Sequence, residues 1–141
     1  MLLPPIEDDP RLSAGIAAFN AGDYDEAGDI FEELYLEAVR DEVPFARTLL
    51  QVSVGFLHAE RGQRAAAIGR LEEALLAIDK VTNHRGLDFA RLRDDVSNTI
   101  AALRAESRPL PADRREGGGK GEGARAPVRL FPAAEIERGG G

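Results

Sequence analysis

The chain has 141 residues, 25 of them acidic and 18 basic, with a formal net charge of −7, no Cys and no Trp. That length holds one domain around a single core and leaves no comfortable room for two. The lack of Cys excludes disulfides, thiolate catalysis and Cys-based zinc sites together, and the acidic balance disfavours nucleic-acid binding, which needs clustered Lys and Arg against phosphate.

The opening "MLLPPIEDDP" has no basic start and its apolar run is broken by Pro4 and Pro5, so residues 1–8 read as an N-terminal extension rather than a secretory signal. No stretch approaches the roughly 20 apolar residues of a membrane helix. The expectation is therefore a soluble, cytoplasmic protein. Charge is unevenly placed: as far as Ala46 the acids face only Arg11 and Arg40, while the signs nearly balance from Arg47 to Arg108. Lys80 and Lys120 are the only lysines. An Arg-, Ala- and Gly-rich composition of this kind fits either a GC-rich genome or a salt-adapted surface.

Helical periodicity begins at Asp9-Pro10, a cap residue followed by Pro at the first helical position, where its missing N–H costs nothing. This first helix runs to about Ala21 and stops at Gly22. A second begins at Asp23, with Glu26 placed for a capping box, and carries Tyr24, Ala27, Ile30, Phe31, Leu34, Tyr35 and Ala38 at steps of three and four. "RDEVP" ends it. The third helix, from about Pro44 to Arg61, is apolar around most of its circumference, which predicts the buried centre of the fold. Gly62 stops it, and a fourth helix follows with Ile68, Leu71, Leu75 and Ile78 in phase. "NHRG" at 83–86 reads as a stop, with His84 as a neighbour of the helix end. A closing helix over about 87–106 carries Phe89, Leu92, Val96, Ile100 and Leu103 on one stripe.

Gly15 and Gly55, Gly22 and Gly62, Ala27 and Ala67, and Phe31 and Leu71 are each 40 residues apart. Helices one and two thus read as a copy of helices three and four. The expected fold is all-α: two similar antiparallel hairpins, over about 10–38 and 44–81, and a fifth helix in one small bundle. From 109 to 141 Pro and Gly dominate, too few bulky apolar residues remain to offset ordering entropy, and disorder is expected. Within that tail "VRLFPAAEIE", Val128 to Glu137, reads as an incidental apolar island rather than a docking segment.

The spacing Gly-x-Tyr-x-x-Ala-x-x-x-Phe, in Gly22, Tyr24, Ala27 and Phe31, is similar to the turn and second helix of a tetratricopeptide repeat, and Gly15 also fits. Arg11 and Ala18 depart from that pattern, as does Val39, near which its Pro is missing. A closer resemblance covers Ile16 to about Ile78. Phe19, Asn20, Gly22, Tyr24, Glu26, Ala27 and Glu32 match the "FN-x-G-x-Y/F-x-EAHE-x-x-E-x-x-W" signature of the domain of unknown function 309 family, small helical proteins of bacteria and archaea. Gln51, His58, Arg61 and Gly62 are in register with that family's next helix. The resemblance implies a fold more than an activity. Where the family has His-Glu this chain has Gly28-Asp29, and its Trp is Tyr35. A His and a Glu one turn apart could bind a metal or pass a proton, so the resemblance implies that any such site is lost or rewired here.

The candidate site residues are Asn20, Tyr24, Asp29, Glu32, Tyr35, Gln51 and His58. Asp29 and Glu32 could be two legs of a hard-cation site, with His58 reaching toward Glu32 from the neighbouring hairpin. The simpler reading is a solvated acidic helix face, Asp25, Asp29, Glu32, Glu33 and Glu37, favoured near a helix N-terminus by the macrodipole. By the same reasoning His58 is a satisfied residue near a helix end, Asn20 bonds backbone in its tight connection, and Gln51 bonds across to the other hairpin. "GGGKGEG" is no phosphate loop, because no Ser or Thr follows Lys120 and no strand precedes it. Ser13, Ser53, Ser97 and Ser107 lack a nucleophile-elbow context. No catalytic set, metal or cofactor is assigned. The expected role is a non-catalytic module that binds a protein or peptide, a second copy of the chain included, with a metal-binding or hydrolase-like protein built on the carboxylate–histidine cluster as the alternative.

Overall fold

The computed structural model describes residues 4–106 and residue 136. A short 3-10 turn, Ile6–Asp8, leads into five α-helices: α1 (Pro10–Asn20), α2 (Tyr24–Glu37), α3 (Glu42–Glu60), α4 (Arg64–Ile78) and α5 (Phe89–Glu106). No strand occurs among the described residues, and the all-α fold read from the sequence is the fold observed. No described helix is long and apolar enough to cross a membrane.

Each helix packs against the next one in the chain, α1 on α2 through to α4 on α5, and α3 takes part in the two most extensive of these contacts. That position follows from its sequence. Phe45, Leu49, Val52 and Phe56 of α3 are buried among both hairpins. Thr48 and Ser53 are buried with them, each donating its hydroxyl to the carbonyl one turn back, of Pro44 and Leu49, at 2.9 Å. A polar group satisfied within its own helix carries little cost of burial.

The 40-residue repeat is physical. An ideal Cβ on Gly15 would lie 2.5 Å from Cε1 of Phe31, and one on Gly55 would lie 2.5 Å from Cδ2 of Leu71. In each hairpin, then, the same glycine lets the first helix lie directly on the large side chain of the second. Gly22 and Gly62 end α1 and α3 at φ 86° and 76°. Behind each glycine the next N–H returns to a helix carbonyl, Asp23 to Ala18 and Gln63 to His58, both at 2.9 Å, so the orphan carbonyls are satisfied in the same way.

The boundaries follow the caps. Asp9 accepts from the Arg11 N–H at 2.9 Å, and Asp23 accepts from the Glu26 N–H at 3.2 Å. The reciprocal half of the expected capping box has no donor to use, since the Asp23 N–H is already given to Ala18. The α3 helix starts at Glu42, two positions before the expected Pro44. Glu42 accepts from the N–H of Val39 and of Ile6, both at 3.1 Å, which fixes the turn before the helix and leaves Pro44 inside the first turn, where it is tolerated. The expected disordered tail lies outside the described residues, apart from Ile136.

Candidate functional site

The seven residues singled out in the sequence separate into distinct environments. Tyr24 is buried at the start of α2, edge-on to Phe19 at 5.1 Å and to Phe56 at 5.5 Å, while Phe19 and Phe56 lie 5.6 Å apart. This aromatic triangle ties the end of α1 and the start of α2 to α3. Burial, with Glu60 nearby, pushes the Tyr24 phenol above its ordinary value. Tyr35, where the family has Trp, is half-buried at the other end of α2, and its hydroxyl accepts from Arg47 at 2.7 Å. The Arg47 guanidinium also lies over the Tyr35 ring at 5.5 Å.

Asp29 and Glu32 are exposed. The Nδ1 of His58 shares a hydrogen bond of 2.6 Å with Oε1 of Gln63. His58 thereby braces the turn into α4. Among the described residues no group of three His, Asp or Glu side chains is gathered as metal ligands. Gln51 accepts from Arg70 at 3.3 Å. Because Arg70 is on α4, this bond stays within one hairpin and does not cross to the other, contrary to the expectation. Gly28, at the family's His position, faces α3: a Cβ there would meet Val54 at 3.8 Å and Ser53 at 4.0 Å in ordinary contact. Asp29 beside it is on the solvent side.

The acidic face of α2 is less open than expected. Arg11 of α1 bonds Glu37 at 2.6 Å, Asp9 at 2.8 Å and Glu33 at 3.3 Å. Its guanidinium holds the carboxyls of Asp9 and Glu37 below their ordinary range. A groove of about 870 Å³ opens beside this network, between Pro4, Pro5 and Leu34 and the Val39–Arg40 turn. None of the seven candidate residues lines it.

Asn20 is where the structure adds most. It is the last residue of α1, and its carboxamide does not bond the turn beside it. Nδ2 donates to the carbonyl of Ile136 at 2.9 Å, and Oδ1 accepts from the N–H of Ile136 at 2.7 Å. A carboxamide carries the same donor and acceptor as a peptide group, so Asn20 pairs with residue 136 as a neighbouring strand would. The two bonds also fix the amide orientation, since a flip would break both. Ile136 is 3% exposed and joins the continuous buried cluster. The apolar island is therefore no incidental feature at this residue: its Ile side chain is core.

Sequence reasoning also missed Arg85, which sits at φ 48° in the loop between α4 and α5. It bonds Glu7 at 2.8 Å and Asp41 at 2.9 Å while lying over the Phe45 ring at 5.0 Å, so it clamps three segments at one end of the bundle. Only an Arg beside a stop signal marked it in the sequence. His84 next to it stacks on Phe89 at 5.3 Å.

The architecture defines a class, the sequential stack of helical hairpins closed by a further helix. Within it, residues 12–69 match the model of the family described as Domain of unknown function (DUF309), as the signature at Phe19 to Tyr35 implies. The matched segment runs from α1 into α4, and so takes in the first hairpin, all of α3 and the residue that holds Ile136. No curated protein and no solved structure matches the chain.

Proposed function

We propose that the protein is a non-catalytic interaction module that grips an extended stretch of polypeptide at the turn end of its first hairpin. The observation that carries this reading is the two-way pairing of the Asn20 carboxamide with the backbone of Ile136, a residue 116 positions away, together with burial of the Ile136 side chain. Backbone pairing plus one buried apolar anchor is the chemistry of peptide capture. The partner is a protein or peptide segment, and a second copy of this chain carries a suitable one. The rival carboxylate–histidine site has less support, because Asp29 and Glu32 are exposed and His58 is engaged by Gln63.

Fluorescence anisotropy tests the reading on the full chain carrying Ile136→Asp, which removes the resident aliphatic side chain. A labelled peptide of residues 131–138 is expected to bind saturably. Adding Asn20→Ala is expected to weaken it roughly 5- to 150-fold, since two hydrogen bonds at about 0.5–1.5 kcal/mol each are lost. No binding, or binding indifferent to Asn20, contradicts the proposal.

A further inference from the structure

We infer that Ile136 is a resident, intramolecular occupant of the Asn20 site, and that partners presenting an aliphatic residue in an extended segment enter by displacing it. This rests on the interaction reading above. The pairing at Asn20 uses only one backbone N–H and one carbonyl of the held residue. Every residue except proline offers both, so this half of the site is neutral to sequence and excludes proline at the gripped position.

Selectivity resides in the side-chain half. Ile136 is 3% exposed within an apolar cluster, so the space it fills suits a branched aliphatic group. A charged side chain there would lose its hydration without a partner. The partner class is thus an extended peptide with Ile, Leu or Val at the gripped position.

The occupant is covalently attached. Residues 107–135 join the end of α5 to Ile136, so its concentration at the site is set by the tether rather than by the solution. Tethered segments reach effective concentrations on the order of millimolar. A tail segment whose intrinsic Kd is on the order of 10–100 μM would then be present in about 10- to 100-fold excess over that constant. The module is closed toward weak ligands and open toward those that outbid its own tail.

The test compares the unmodified full chain with its Ile136→Asp and Ile136→Ala variants, all titrated into the labelled peptide of residues 131–138, with circular dichroism checking that helix content is retained. Expected is an apparent Kd roughly 10- to 100-fold weaker for the unmodified chain than for Ile136→Asp, with Ile136→Ala between them. The Ala variant carries the comparison should the Asp variant fail to fold. Equal binding by all three overturns self-occupancy and leaves the interaction module standing. Absence of binding by all three overturns the module and the inference with it. An unmodified chain that sediments as a dimer, and returns to monomer with Ile136→Asp, overturns the intramolecular assignment in favour of exchange between two copies.

Discussion

Phe31→Ala is expected to lower the free energy of unfolding by about 3–5 kcal/mol. The ring is fully buried on α2 and rests on the bare backbone of Gly15. Loss of a large buried side chain costs its transfer energy and adds a cavity term wherever the surroundings cannot close in. Here they cannot: the wall opposite is helix backbone, which has no side chain to swing into the space. The effect should read out as a lower urea midpoint with an unchanged slope, since the surface exposed on unfolding is nearly the same. A loss under about 1 kcal/mol would mean that α1 and α2 do not meet at Gly15, because no well-packed buried ring is removed so cheaply.

Gly55→Ala should destabilise although it replaces a poor helix former by the best one. Propensity alone favours the change by about 1 kcal/mol. Against it, the new Cβ would lie 2.5 Å from Cδ2 of Leu71, 2.7 Å from its Cγ and 3.4 Å from its backbone nitrogen. Rotating the end of the side chain relieves the first contact and leaves the second. Leu71 is fully buried, so relief requires α3 and α4 to separate along their extensive contact. Overpacking of this kind costs about 1–3 kcal/mol and should outweigh the propensity gain. Gly69→Ala on the exposed face of α4 provides the contrast, since a Cβ there meets nothing within 4 Å. It should stabilise by up to about 1 kcal/mol. Thermal or urea unfolding of the two variants should therefore show shifts of opposite sign, and shifts of the same sign would contradict the packing described.

Both effects were legible in outline from the sequence, because they depend on local pattern. The 40-residue offset that pairs Gly15 with Gly55 and Phe31 with Leu71 is written in the chain. So are the positive-φ stops at Gly22 and Gly62, for which glycine is the residue that sterics favour. The start of α3 was misplaced because Pro44 looks like a helix beginning. Glu42, whose carboxylate gathers two backbone N–H groups, settles the boundary through a contact with Ile6 that no local pattern announces.

The candidate site was legible only by halves. Asn20 stood out as part of the family signature, and its side chain does bond backbone, as Asn in a tight connection is expected to. Which backbone could not be read. Local rules pointed to the adjacent turn, whereas the partner lies in a tail whose composition argues against order. A single Ile in such a tail carries no periodicity and no turn chemistry, so only the folded chain shows that it completes the core. Arg85 was hidden for a similar reason: its partners, Glu7 in one segment and Asp41 and Phe45 in another, are all distant from it in sequence. The acids, by contrast, were conspicuous in the sequence, and the structure ties Glu33 and Glu37 to Arg11 while leaving Asp29 and Glu32 toward solvent.

The central claim is that Asn20 holds residue 136 as a paired strand would, and amide hydrogen exchange at Ile136 in the full-length chain measures this directly. The Ile136 N–H, donated to Asn20 Oδ1 at 2.7 Å, is expected to exchange at least about tenfold slower than in the free peptide of residues 131–138, because exchange then requires the bond to open. Asn20→Ala should restore the free rate at that amide while leaving the protection of α3 unchanged. Exchange of Ile136 at the free-peptide rate in the unmodified protein would contradict the account.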